Sequence, residues 1–446
     1  MAAVLQLLGC GDGGAEPPVT TEIIRESRLR DDIPDSRSPG GLRVVQITTD
    51  RSMFSHHLYP EAQMSVPGTD WFVFHRMPAE GSDTGDYWLC DPADDFSLRR
   101  LTDEKGIRRV AVTPDGRWMY YFIETSGPDG TVLTLKRLSF KDFSRRTLLR
   151  LDGPIPGTDS RASRISGPSI SSDGARLATY AFLGDGVTDN APYGLLVFDL
   201  EKLTVKLIFT GVEFCNMHVQ YCRSDVPDLS HDIMIQHNHE SVHDQRGNVT
   251  TLQGGKGTDL HVIRDDGSTW RDVPLGRDGV FFSTGHEQWR GRTGTVFSSL
   301  VENRTGINHL YLAQPILTDS NTSHRGFGIP GARYLNLTRD ITDARFNHFS
   351  GDATGDHLVL RNERAGADGE IELFLGTVTP GDEPELAVSY LLSPRSKTER
   401  EGWERGQSNK PRPFFSPDGR VVYFHSDLDG PSQIFMVEGY KFPSAK

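Results

Sequence analysis

Cysteine is scarce in this 446-residue sequence: Cys10, Cys90, Cys215 and Cys222 are the only four, and none forms a C-x-x-C pair. So few and so scattered, they exclude a disulfide framework and read as small buried hydrophobes. Long apolar runs are also missing. None approaches the roughly 20 residues a membrane-spanning helix needs, so no transmembrane segment is expected and the body of the chain reads as soluble. Positive charge is in deficit, with 48 Lys and Arg against 61 Asp and Glu and a net charge of −13. That balance argues against a nucleic-acid or anionic-membrane binder, which needs a broad positive field. A small anionic substrate is still admissible, but only where Arg, Lys, His or a metal ion gathers locally against the global sign. The sequence has no P-loop, no dinucleotide fingerprint, no EF-hand loop and no G-x-S-x-G elbow.

Glycine and proline, by contrast, are plentiful at 46 and 26 residues, which suits many short strands and tight turns better than long helices. One pattern recurs: a polar turn, then alternating apolar residues. Three copies are clean, at Thr113-Pro-Asp-Gly before RWMYYF, Ser171-Ser-Asp-Gly before ARLATYAF and Ser416-Pro-Asp-Gly before RVVYFHSD. Others begin at Val66, Ser224, Gly291 and Gly351, making seven. Asp-Gly turns favour the positive φ that closes a hairpin. A hairpin alone cannot bury its face, but units of about 40–60 residues with four strands each can do so by packing around an axis. Between the turns lie matching outer-hairpin segments such as YWLCDPADDFSLRRLT, GLLVFDLEKLTVKLIF and LHVIRDDGSTWRDV. The expected fold is therefore all-β, a seven-bladed β-propeller over residues 41–446. A propeller feeding a hydrolase domain is disfavoured, because the nucleophile elbow and amphipathic helices are lacking.

Residues 1–40 read as a flexible tail or a processed signal. The start MAAVLQLLGC ends in a weak lipoprotein-like Leu-Leu-Gly-Cys10 without a preceding Lys or Arg. A periplasmic or a cytoplasmic location is compatible with it, and oligomeric state leaves no mark on the sequence.

Histidines gather at the beginnings of the repeats: His56 and His57 in FSHHLYPE, His218 in CNMHVQY, His237 and His239 in IQHNHES, His286 in TGHEQW and His348 in RFNHFSGD. His218, His286 and His348 share one phase, about 4–8 residues ahead of a turn, and equivalent positions of neighbouring blades converge on a propeller axis. For any one of them a half-buried polar residue is the ordinary reading. For the set, metal or anion binding is expected, since several unpaired imidazoles near one axis would be costly. His239 with Glu240 offers acid–base chemistry near neutral pH, and Arg345, Arg361, Lys410 and Arg412 offer cations for a substrate carboxylate.

The order HHLYPEA, TPDGRWMYYF, MHVQYCRSD with IQHNHE, LHVIRDDGSTWRDVP with GHEQW, then FNHFSGD, resembles oligogalacturonate lyase, a pectin-degrading polysaccharide lyase family with a seven-bladed propeller. The resemblance runs from about Gly40 onward, and GHEQW and HHLYPE are its most specific pieces. It implies β-elimination on uronate oligosaccharides, an anionic oligosaccharide substrate and a divalent ion, Mn2+, in the channel. It gives His286 and His348 to the metal and His239 to the base, with His57, His218 and Arg345 orienting substrate. Arg345 and Ser350 stand where the family has a glutamine and a second histidine. Two other expectations stay open beside it: a non-catalytic TolB-like propeller binding a protein or glycan, and a lyase for another uronate polymer.

Overall fold

The structure, a computed structural model, describes residues 16–19, 22–56, 63–78, 85–127, 130–318, 326–341, 345–363, 371–396 and 411–444. Cys10 with its signal-like stretch, His57 and Lys410 lie outside them. The chain divides into two compact units. The first comprises Met1–Thr20, Asp103–Gly285 and Gln314–Ala332, and the second Thr21–Thr102, His286–Ala313 and Arg333–Lys446.

All seven turns read from the sequence lead into a strand. In the first unit these are Trp118–Gly127, Arg176–Phe182 and Asp232–Asn238. In the second they are Phe72–Pro78, Val296–Glu302, His357–Glu363 and Val422–Ser426. Each is the second strand of an antiparallel meander, and the outer-hairpin segments supply the third and fourth strands. Arg176–Phe182 shows the order: Ser163–Ile170 flanks it on one side, Tyr193–Asp199 on the other, and Thr204–Gly211 follows.

The three clean turns share one geometry. Gly116, Gly174 and Gly419 have φ of 67°, 72° and 68°, and their N–H groups donate to the carbonyls of Thr113, Ser171 and Ser416 at 2.9 Å. The Thr113, Ser171 and Ser416 hydroxyls donate to the Asp two residues on, at 2.6, 2.5 and 2.6 Å. The same aspartates accept from the backbone N–H of Arg117, Ala175 and Arg420. The repeat is thus a self-satisfied Asx turn with glycine in the left-handed region.

Alternation predicts one buried face per strand, yet Arg176–Phe182 is buried on both. Leu177 and Ala181 enter a core shared with Tyr120, Phe122 and Leu133, while Ala178, Tyr180 and Phe182 enter another with Tyr221, Ile233 and Ile235. In the second unit Val359 faces Phe424 and Phe435, whereas Leu358 and Leu360 face Phe297 and Phe349. A sheet packed on both faces buries every residue of its central strands, at roughly 1.5–3 kcal/mol for each large apolar side chain.

Residues 22–40 differ from the tail read in the sequence. Ile23–Ile24 pairs with Ser97–Arg100, and Arg28–Leu29 with Arg43–Gln46. Arg30 is buried and donates to Gln46 and Asp429, and Arg37 donates to the buried Glu372 at 2.5 Å. Charged side chains, which make this stretch look disordered, are the groups that fasten it. Arg43–Gln46 pairs in turn with Gln433–Glu438 near the other end of the chain, so one sheet holds both. Cys90, Cys215 and Cys222 are buried free thiols. Among the described residues no helix is long and apolar enough to cross a membrane.

His309, on Asn308–Gln314, has Nδ1 3.1 Å from Thr338 Oγ1, and burial holds its imidazole below the ordinary value. A depressed histidine stabilises the fold above its unfolded pKa of about 6.5, and that contribution is lost as pH falls below it. Thermal unfolding should therefore show a larger drop in Tm from pH 7 to pH 5 for the native protein than for His309→Gln. Equal drops would rule out His309 as a source of the acid sensitivity.

Candidate functional site

In the first unit, strand Asp232–Asn238 lies between Gln220–Tyr221 and Thr258–Arg264. Register places His237 opposite Asp259 and Ile235 opposite His261. Side chains two apart share a face, so His237 on one strand, with His239 just past its end, and Asp259-x-His261 on the next bring four polar groups together. Glu213, in the loop after Thr204–Gly211, joins them, held by the Glu240 N–H, which donates to its Oε1 at 2.7 Å.

His239 is buried just past the strand end, with Nε2 2.6 Å from Asp259 Oδ2 and Nδ1 3.6 Å from Glu213 Oε2. A carboxylate only accepts, so the proton sits on Nε2 and Nδ1 presents its lone pair. Arg277 donates to the same Asp259 oxygen at 2.9 Å, which sets a cation beside this fully buried carboxylate. His237 Nε2 lies 3.1 Å from Glu213 Oε2, and its ring stacks on Phe214 with centroids 4.4 Å apart. Burial, with His239 and His261 alongside, pushes the His237 imidazole down to about 4. Burial pushes the Glu213 carboxyl up, but the Glu240 N–H and the two imidazoles outweigh it and leave it below its usual range. His261 Nδ1 lies 2.6 Å from Asp272 Oδ1, which also accepts from Trp270 Nε1 at 2.9 Å, while Thr318 Oγ1 donates to Asp272 Oδ2 at 2.8 Å. Two triads, Glu213–His237–His239 and His237–Asp259–His261, offer donor atoms within 4.8 Å of one another and so have the spacing and chemistry of divalent-metal ligands.

His218 precedes Gln220–Tyr221 with φ 46°, and its Nε2 lies 3.0 Å from Asn216 Nδ2. The same Asn216 amide donates to Gln236 Oε1 at 3.1 Å. A Cβ on Gly285, whose φ is 73°, would stand 1.8 Å from Gln236 Nε2, so the glycine of the GHEQW motif is required by both backbone and space.

In the second unit His286 and His348 come together, as their shared phase suggests, with ring centroids 3.8 Å apart. Each lies on the first strand of a meander, Phe281–Trp289 and Phe346–Gly351. Gln288 Oε1 accepts from the Gly351 N–H at 2.7 Å and ties the two strands. Arg345 directs its guanidinium to the Gly306 carbonyl at 3.1 Å. Arg361 is fully buried, donating to the Pro411 carbonyl at 3.0 Å and paired with Glu363. Glu240 pairs with Lys256 instead of serving His239. Glu213, Asp259, His261, Asp272 and Arg277 were not picked out from the sequence. The alternations H-N-H and D-L-H were the available signal, legible as one cluster only once the register of the two strands is known.

No family model matches the sequence, and no curated protein matches it. Among solved structures, an oligogalacturonate lyase in complex with manganese is similar with a TM-score of 0.67 and 14% identity, over 97% of this chain and 98% of that one. An oligogalacturonate lyase from Vibrio parahaemolyticus is similar with a TM-score of 0.65 and 14% identity, over 94% and 98% of the two chains. The β-propeller domain of the Trilobed protease from Pyrococcus furiosus aligns at 11% identity and a TM-score of 0.47, over 87% and 94%. The likeness to the two lyase structures shows the fold: the chain is an all-β, seven-bladed β-propeller, the class that its seven Asp-Gly-type turns foretell.

Proposed function

We propose that the protein is a lyase that cleaves short uronate oligosaccharides, oligogalacturonate first among them, by β-elimination to give an unsaturated uronate. The observation that carries this reading is the Asp259–His239 pair, in which a buried carboxylate fixes the imidazole with its proton on Nε2 and its lone pair on Nδ1. The likeness over nearly the whole chain to two oligogalacturonate lyase structures supports the choice of substrate.

The C5 proton of a uronate is hard to remove because the adjacent carboxylate is already negative and the enolate-like intermediate gains further charge. His239 Nδ1 accepts that proton, and Asp259 stabilises the imidazolium that results. The C5–H electrons form the C4–C5 double bond as the C4–O4 bond breaks, and the leaving oxygen takes a proton from water. His218 and Arg345 keep their proposed part in orienting the chain of sugars, as does His57.

Manganese stands in the name of one lyase structure. The imidazoles of His286 and His348, whose rings lie 3.8 Å apart, are nitrogen donors of the kind such an ion takes. They would hold it, and when bound it would neutralise the uronate carboxylate.

The deciding measurement mixes the protein with short polygalacturonate oligomers, with and without manganese or chelator, and follows the absorbance of the new double bond. The expected result is a rising signal, reduced by chelator. No signal on any uronate oligomer would make the protein a binding module, and signal only on a different uronate would move it to another substrate.

A further inference from the structure

We propose that the chain holds a divalent cation of the zinc class between His237 Nδ1, His261 Nε2 and the carboxylate of Asp259, a centre that shares no residue with the His286–His348 pair. Asp272 accepts from His261 at Nδ1, 2.6 Å away, which leaves the lone pair of His261 on Nε2. Glu213 lies 3.1 Å from His237 Nε2, a normal hydrogen-bond length, which places the proton there and leaves the lone pair on Nδ1. The two unprotonated nitrogens then face each other across 3.4 Å.

That separation is at the long end for a hydrogen bond between ring nitrogens. It matches a coordination edge: nitrogens bound at about 2.0–2.1 Å and a tetrahedral angle lie about 3.3–3.4 Å apart. Asp259 supplies the anionic donor, with all three donor atoms within 4.8 Å of one another. The outer partners also follow the pattern of metal-bound histidines, whose second nitrogen is held by a carboxylate. His261 has Asp272, His237 has Glu213, and the Asp259 oxygen is braced by His239 and Arg277. Phe214 and Trp270 sheathe the two rings, with centroid distances of 4.4 and 4.5 Å. In this arrangement His239 Nδ1 is left outside the coordination, so the centre is compatible with the lyase reading and does not rest on it.

The rival triad, Glu213–His237–His239, would instead put the metal on His237 Nε2 and His239 Nδ1. Zinc retention separates the two. The full chain, in a His286→Ala/His348→Ala background, is loaded with zinc, desalted and analysed for metal by mass spectrometry. The expected result is about one ion per chain, kept in His239→Ala and reduced in His261→Ala to the level of a chelator-stripped control. Asp272→Asn should weaken retention about 10- to 100-fold. Retention in His261→Ala, loss in His239→Ala, or no retention in the parent protein overturns the proposal. Should His261→Ala fail to fold, cobalt-loaded native protein provides the second readout. Intense visible bands of tetrahedral cobalt, absent when Asp272 is replaced by Asn and the protein is exposed to chelator, support the centre, and weak octahedral bands alone overturn it.

Discussion

His239→Ala is expected to lower kcat for elimination on uronate oligomers by about 10²–10⁴-fold, the usual contribution of a positioned general base. KM should change little, because the imidazole acts on the C5 proton only as the transition state forms. Asp259→Asn tests the same chemistry from behind. An asparagine can turn its amide N–H toward Nε2, move the imidazole proton to Nδ1 and cap the lone pair that removes the proton. Its activity should therefore fall with His239→Ala even though His239 itself remains. Unchanged turnover in His239→Ala would remove the base assignment while leaving the substrate question to the oligomer assay.

Arg271→Met is expected to cost about 3–5 kcal/mol of stability at neutral pH, the usual penalty for stranding one partner of a buried ion pair. Asp232 is fully buried at the start of the strand that carries His237 and leads to His239, and Arg271, on Trp270–Asp272 of the same sheet, is its ion-pair partner. Burial pushes the Asp232 carboxyl up, and Arg271 pulls it back only in part. A carboxyl raised in the folded state favours the fold below its unfolded pKa, and that advantage disappears as pH rises through the folded value. The cost of Arg271→Met should accordingly shrink toward acidic pH, where Asp232 takes up a proton. Urea unfolding of the single variant and of Asp232→Leu/Arg271→Met makes the comparison. The double variant should recover most of the loss, since two apolar side chains of similar volume leave no charge behind. A single variant as stable as the parent would show that the pair carries no such weight.

The fold was legible because its signal is local and repeated. Thr113, Ser171 and Ser416 each introduce the same turn, and seven such turns mark seven second strands before any long-range pairing is known. The His286–His348 approach was legible from phase, since each sits at the same point of its repeat. The cluster around His239 was only half visible. His237 and His239 are neighbours in sequence, but Asp259 and His261 reach them through strand register, and Glu213 through a loop. Arg361 misled for the opposite reason: an arginine looks like a surface cation until the carbonyl of Pro411 and the carboxylate of Glu363 appear beside it. Residues 22–40 misled in the same way, since ion pairs to Glu372 and Asp429 cannot be read from the charged stretch that makes them.

The sheet that unites Arg43–Gln46 with Gln433–Glu438 also sets a clock for biosynthesis. Arg43 and its partner Glu438 are 395 positions apart, which at about 5–20 residues per second is a wait of roughly 20–80 s. Throughout that interval the early strand is a naked edge on the ribosome, open to pairing with other nascent chains. The ionic side chains of residues 22–40 help keep it soluble until its late neighbour emerges.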